Sequence, residues 1–209
     1  MYIPRAHNEE RVTVLQKLIE DQPFASLITV GSSGLFASHI PMVLEQNGAM
    51  GQLRGHISRA NTQWRDYNPS IEALAIFSGP QHYITPNWYP EKQDTGKVVP
   101  TWNYVVVHAY GYLKIIEDAE WLRTHLASLT SIHEAESPVP WKIGDAPEDY
   151  IAALLKGIVG LEMTIERLEG KWKVSQNRSD EDRNGVAKGL AELNTAESLA
   201  MRALVERQD

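Results

Sequence analysis

Residues Val98 to Gly111 read VVPTWNYVVVHAYG. A proline lies near the start of the stretch and a glycine closes it. Between them lie β-branched and aromatic residues with few helix formers, the composition of a strand. Alternate side chains of a strand face opposite sides. Trp102, Tyr104, Val106, His108 and Tyr110 therefore share one face, a ribbon of rings with hydrogen-bonding tips. Asn103, Val105, Val107 and Ala109 share the other, which is small and apolar except at Asn103 and suits a core. The ring-lined face suits a second subunit or a flat ligand, and it equally suits packing within a β-barrel.

Working upstream, Gln81 to Pro90 is an aromatic loop bounded by prolines, and Glu91 to Val98 is a polar, turn-rich loop expected to be exposed. Ile71 to Ser78 reads as a strand broken by Gly79-Pro80. Phe24–Val30, Leu35–Leu44 and Ala49–His56 form a meander whose first hairpin turns at GSSG, Gly31 to Gly34. Ser58 to Tyr67 reads as a short helix after that meander. Asn8 is a plausible N-cap for a helix over Glu9 to Asp21, with Val12, Leu15, Leu18 and Ile19 at helical spacing. Downstream, the opening strand runs to about Ile116, and Glu117 to Ile132 is helical, with Leu122, Leu126 and Leu129 on one face. Asp145 caps a further helix that has Pro147 near its first turn and ends near Gly157. Ile158 to Leu168 alternates as a half-exposed strand, and Glu169-Gly170 is expected to turn it into a hairpin with Lys171 to Ser175. From about Ser179 onward the composition is helical.

These connections are too short for parallel crossovers, so the strands are antiparallel. Several strands with few places to hide an edge suggest a closed or split barrel. The expected architecture is β-rich α+β: one domain over residues 1–209, with a helical insertion at about 117–157 and a C-terminal helix at about 179–207.

Composition narrows the chemistry. A chain of 209 residues with 43% hydrophobic and 22% charged residues can bury a sizeable core unaided. It has no cysteine, which excludes disulfides, thiolate catalysis and cysteine-held metal clusters. MYIPRAHNEERV lacks the apolar core of a signal peptide, and no apolar run is long enough to span a bilayer. A cytoplasmic location is the expectation. The net charge of −7 opposes strong non-specific affinity for DNA, which needs a basic surface to displace counterions.

Three segments could carry chemistry. In GHISRAN, Gly55 to Asn61, a strand ends and a helix is expected within a few residues. Free N–H groups at such a helix start bind phosphate, and His56, Ser58, Arg59 and Asn61 add donors and a charge. The competing reading is a capped helix with a surface arginine. No dinucleotide or Walker glycine pattern occurs. GPQHYITPNWYP, Gly79 to Pro90, offers His82, Tyr83, Trp88 and Tyr89 to a planar ligand or a dimer contact. Ser175, Gln176, Asn177 and Arg178 follow a strand as either a solvated turn or the polar wall of a pocket. The histidines have no metal-binding spacing, and no metal site is expected. A serine-hydrolase elbow is likewise absent.

Five blocks, in this order, resemble the PaiB-type family, whose members are described as FMN-binding negative transcriptional regulators. They are HIPMVL (His39–Leu44), LRGHISRAN (Leu53–Asn61), IFSGPQHYITPNWY (Ile76–Tyr89), VPTWNYVVVHAYG (Val99–Gly111) and LEGKWKVSQNR (Leu168–Arg178). The resemblance runs from Met1 to about Leu190. It implies a split β-barrel of the FMN-binding type, related in architecture to pyridoxamine-phosphate oxidases and flavin reductases. It also implies a homodimer with two flavin sites at its interface. By that analogy His56, Ser58, Arg59 and Asn61 bind the FMN phosphate. Trp102, Asn103 and Tyr104, with Ser175, Gln176, Asn177 and Arg178, approach the ring or phosphate from the partner subunit. No helix-turn-helix with a basic recognition helix is visible. The C-terminal Lys188, Arg202 and Arg207 are balanced by Glu192, Glu197 and Glu206. Regulation is therefore expected to be indirect, through a partner or a flavin-dependent reaction. The competing functions are an FMN-dependent oxidoreductase with His82, Tyr83 or His108 as proton donor, a haem-binding relative with a histidine ligand, and a dimer that has lost its flavin site.

Overall fold

The structure, a computed structural model, describes residues 1–207. Seven strands form one antiparallel sheet: β1 (Asn8–Glu9), β2 (Phe24–Gly31), β3 (Gly34–Glu45), β4 (Gln52–Ser58), β5 (Ala73–Ile84), β6 (Thr101–Ile116) and β7 (Ile158–Lys173). Their order is β1-β7-β4-β3-β2-β5-β6, and an additional β6–β7 pairing closes the order on itself. Closure removes the free edges that an open sheet would expose. Among the described residues there are six α-helices: α1 (Val12–Asp21), α2 (Glu91–Asp94), α3 (Ala119–His133) and α4 (Glu148–Leu155) lie between strands, and α5 (Asp180–Leu193) and α6 (Ala196–Glu206) follow the last one.

The chain divides into two compact units interleaved in sequence. One comprises Met1–Leu15, Ser78–Val107 and the chain from Glu169 onward; the other comprises Gln16–Phe77 and His108–Leu168. In the second unit, Leu27, Met42, Leu53, Phe77, Leu161 and Met163 are sealed from solvent. Register follows the pleat: β4 meets β7 with His56 opposite Gly160 and Arg54 opposite Glu162. The outer face of β4 thus carries Arg54, His56 and Ser58 in a row, and its inner face carries Leu53 and Ile57. On the outer face of β7, a Cβ on Gly160 would lie 2.4 Å from the Trp121 ring, so only glycine admits α3 at this point. Behind Trp121, Leu122, Ile151 and Leu155 form a small core of their own, closing α3 on α4. In the first unit, Ile84, Tyr89, Val105, Val186, Leu190 and Met201 are buried.

The burial of β6 alternates residue by residue, with Asn103, Val105, Val107 and Ala109 inside and the ring-bearing face partly exposed. Other expectations need correction. The first helix starts at Val12 rather than Glu9, because Asn8 and Glu9 pair with Lys171 and Gly170 as β1. Asn8 does not cap it; the Glu9 carboxylate accepts from the Arg11 backbone N–H instead. Gly79-Pro80 does not end β5, which continues to Ile84. Pairing with β2 stops at Ile76, so the proline removes no hydrogen bond from that ladder. Glu91–Asp94, expected within a loop, forms the short helix α2. Glu169-Gly170 does not turn; β7 runs through it for 16 residues. Ser58–Tyr67 holds only one 3-10 turn, Thr62–Trp64. The C-terminal segment is two helices, parted where Asn194 adopts a left-handed conformation (φ 52°).

Candidate functional site

In the second unit, the splaying of β3 from the end of β4 opens a cleft of about 680 Å³. Ala37 to Ile40 of β3 form one wall and His56 to Ser58 of β4 the other; Asn61, Leu154, Gly157 and Ile158 complete the lining. No carboxylate lines it, while Ser38, His39, His56, Ser58 and Asn61 present hydrogen-bonding side chains. Asn61 is held in place twice, donating to Ser38 Oγ at 2.8 Å and accepting from the Gln63 N–H at 2.9 Å. His39 shares a hydrogen bond between Nδ1 and Ser26 Oγ, 2.9 Å apart.

The backbone of this segment is not the anion cradle that its glycine and expected helix suggest. The Arg59 N–H donates to Gly157 O, the Ala60 N–H to Ser58 Oγ and the Asn61 N–H to Ser58 O. A three-residue 3-10 turn leaves no ring of spare N–H groups. Side chains, not backbone, remain as donors toward the cleft. Arg59 does not line it. Its Nε donates to Lys156 O at 3.0 Å, its Nη2 to Ile158 O at 3.2 Å and its Nη1 to the Glu117 carboxylate at 2.5 Å. The guanidinium is thus a clip fastening the segment after α4 to the end of β4, with two of its five N–H groups still uncommitted.

His56 is backed by a residue the sequence reading missed. Its Nδ1 lies 3.2 Å from Nε2 of His125, which α3 buries to 2% exposure. Trp121 stacks on His125 at 5.3 Å and 20°, and the Arg54 guanidinium lies 5.5 Å from the Trp121 ring centroid. Burial lowers the His56 pKa. Burial, then the His56 and Arg54 charges, push His125 down to about 4. The signal was present: His125 sits four residues after Trp121 and three after Leu122, on the face of α3 turned to the sheet. Ser38 and His39 are neighbours in the returning strand and point to opposite faces of it, and both reach the cleft only because β3 ends its pairing with β4 here.

The other cofactor-binding candidates lie in the first unit. Trp102 is half exposed, donates to Gln81 Oε1 at 3.1 Å and meets Tyr83 edge-on at 6.0 Å. Asn103 and Ser175 are buried together, Nδ2 to Oγ at 2.8 Å, with Ser175 at φ 66°. Such a backbone costs about 1–3 kcal/mol in a non-glycine residue and is held here by the bond to Asn103. Tyr104 lies 5.3 Å from Lys171 Nζ. Gln176 is spent on its own turn, accepting from the Val174 N–H and donating to Trp172 O. Asn177 is exposed. Arg178 lies over the Tyr89 ring at 4.6 Å and 3.5 Å from Glu91. Of the proton-donor candidates, His82 Nδ1 bonds its neighbour's carbonyl, Tyr83 O, and His108 Nδ1 lies 3.3 Å from Tyr110 Oη in the second unit. Among the described residues, no three metal-binding side chains cluster, and no helix is long and apolar enough to cross a membrane.

A closed antiparallel sheet with a donor-lined cleft beside its β3–β4 strands defines a split barrel of the flavin-binding class. The family described as "Putative FMN-binding domain" matches residues 1–167, and the chain belongs to that family, the PaiB type. An uncharacterized protein of Emericella nidulans is 38% identical to it over 93% of this chain and 92% of its own length. The "Protease synthase and sporulation protein PAI 2" of Bacillus subtilis is 28% identical over 99% of this chain and 97% of its own length. The structure of the FAD and heme binding protein from Mycobacterium smegmatis shares the fold, with TM-score 0.58 and 13% identity over 80% of this chain and 73% of that one.

The cofactor is FMN. The cleft's chemistry fits such a ligand: its volume falls within the range of cofactor pockets. Hydroxyl, amide and imidazole donors converge on it, and no lining carboxylate would repel a phosphate.

Proposed function

We propose that the chain works as a homodimeric FMN-binding regulator that lowers transcription indirectly, through its cofactor-loaded state. The cleft carries this reading: a donor-lined, carboxylate-free pocket lies beside the exposed outer face of β2–β3. His56, Ser58 and Asn61 hold the phosphate, and Arg59 lends charge from the rim. Trp102, Tyr104, Asn177 and Arg178 of a second copy serve the ring, with Asn103, Ser175 and Gln176 fixing their turn. When bound, FMN supplies a redox-active ring; the chain's residues bind it, orient it and exclude water. The name of the Bacillus subtilis relative, which joins protease synthesis to sporulation, is in keeping with a regulatory role. The net charge of −7 supports an indirect route over tight direct DNA contact.

The test is purification followed by spectroscopy and light scattering. The expected result is a dimer that retains or takes up FMN and gives no salt-sensitive DNA shift. A monomer indifferent to FMN overturns the reading. A second reading, an FMN-dependent oxidoreductase, draws on the His56 ring nitrogen left free to exchange a proton at the cleft. Multiple-turnover oxidation of a nicotinamide by the loaded protein would favour it.

A further inference from the structure

We propose that His125 is a positioning residue: the buried acceptor that lets His56 become doubly protonated when an oxyanion such as a phosphate ester occupies the cleft, so that binding takes up one proton. The proposal rests on the cleft being the FMN phosphate site. His56 lines the cleft, and its Nδ1 is committed to His125 Nε2 at 3.2 Å. Nε2 is then the only ring nitrogen left to a ligand. A single hydrogen lies between the two neutral rings. For His56 to donate to the ligand and to His125 at once it must be an imidazolium, and His125 must be neutral with its proton on Nδ1. The added proton comes from the buffer, or from the ligand where its phosphate still carries one (second pKa about 6 for an ester), and forms one N–H bond on His56. Without an acceptor at His125, the imidazolium's Nδ1–H would be buried unpaired, which disfavours that state.

The surroundings set the order of protonation. His125 is sealed beneath Trp121, whereas His56 reaches the cleft. Burial lowers both, and the His56 and Arg54 charges bear on His125 as well; with His56 the ring that reaches the cleft, the first proton belongs to His56. The charged groups around the pair come from every neighbouring element. Arg54 of β4 faces Trp121; Glu45 of β3 holds that guanidinium at 2.7 Å and Glu162 of β7 at 3.4 Å. Lys114 of β6 lies 3.6 Å from Glu162. Arg59 is held by Glu117, and His39 faces the cleft from β3. No carboxylate among the described residues hydrogen-bonds either ring of the pair, so an anion in the cleft is what compensates a charge on His56.

The experiment is calorimetric titration of the full chain with FMN, and separately with inorganic phosphate, in two buffers of different ionisation heat. Because the phosphate's own ionisation contributes equally to wild type and variant, the readout is their difference: at about pH 6 the wild type is expected to take up close to one proton more than His125→Phe, the difference falling toward none at about pH 8. His125→Phe keeps a ring beneath Trp121 but cannot accept; it is expected to lack that extra proton and to bind about tenfold more weakly at the lower pH only. His125→Gln, whose carbonyl can accept, is expected to restore the uptake. Imidazole nitrogen NMR of the unliganded wild type provides a readout free of ligand and variant: His56 titrates first, with the His125 proton on Nδ1. Equal uptake in wild type and His125→Phe, or His125 titrating first, overturns the linkage while FMN binding stands. A wild type that binds neither FMN nor phosphate overturns the cleft reading itself, and the linkage with it.

Discussion

His125 has a thermodynamic consequence that needs no ligand. Its folded pKa of about 4 lies below the ordinary 6.5. Between those values the unfolded chain binds a proton that the folded chain refuses. The stabilisation is therefore complete above about pH 6.5 and is lost as the pH falls toward 4. Its full size is roughly 3 kcal/mol, from about 1.4 kcal/mol per pKa unit. Urea unfolding at about pH 5 and 7 is expected to give a lower midpoint in acid, with a smaller difference in His125→Gln; equal pH dependence in the two proteins would rule this out. Gly160 is the companion case. A Cβ there meets the Trp121 ring at 2.4 Å, and that ring covers His125. Gly160→Ala is expected to cost about 1–3 kcal/mol and to quench less of the His125 burial, seen as a raised His125 pKa by NMR.

At the scale of elements, α5 docks through Gly185 and Gly189. A Cβ on Gly185 would lie 2.0 Å from the carbonyl oxygen of Trp88, and one on Gly189 would enter the Trp88 ring at 2.2 Å. Alanine gains about 1 kcal/mol in helix propensity. The clash at Gly185 is with backbone, which cannot rotate away, so strain of about 1–3 kcal/mol outweighs the gain. Gly185→Ala is expected to lower the melting temperature and to speed amide exchange in α5 and α6. Arg59 has the same kind of role for the insertion. Arg59→Ala loses two carbonyl bonds and a half-exposed ion pair, at about 1–2 kcal/mol, with faster exchange in α4.

Elements were legible wherever one periodicity governed the whole stretch. Every second residue of Asn103–Ala109 is buried, as the alternation of β6 implied. β7 was misread because its buried residues change phase, from Ile165 on odd numbers to Gly170 on even ones, so a continuous strand mimics two. Ser58–Tyr67 misled because polar residues that look like a capped helix satisfy one another around a single 3-10 turn. The cleft was legible as far as His56, Ser58 and Asn61, since a glycine-punctuated strand end advertises itself. His125 was legible as a helix-face neighbour of Trp121 but not as the partner of His56, which is 69 residues away and is met only because the tertiary fold brings α3 onto β4.

For the molecule as a whole, the outer face of β2–β3 is the surface to test. Phe24, Ser26, Ile28 and Val30 stand opposite Pro41, His39, Ala37 and Leu35. Phe24 is 65% exposed and Leu35 78%. The face is continuous with the cleft, since Ala37 and His39 belong to both. Large apolar side chains left in water beside such a cleft favour a second subunit over solvent. In the proposed homodimer, burying Phe24 and Leu35 removes about 1.5–3 kcal/mol of hydrophobic exposure for each. Lysine at these positions replaces that gain with a buried charge lacking a partner. Phe24→Lys combined with Leu35→Lys is therefore expected to yield a folded monomer by light scattering, with circular dichroism unchanged because neither residue belongs to the core. If the cleft is completed by the second copy, the same variant loses most of its FMN affinity while its His56–His125 pair titrates as before. A double variant that stays dimeric with FMN affinity intact would move the interface elsewhere on the surface and remove β2–β3 from the cofactor's environment.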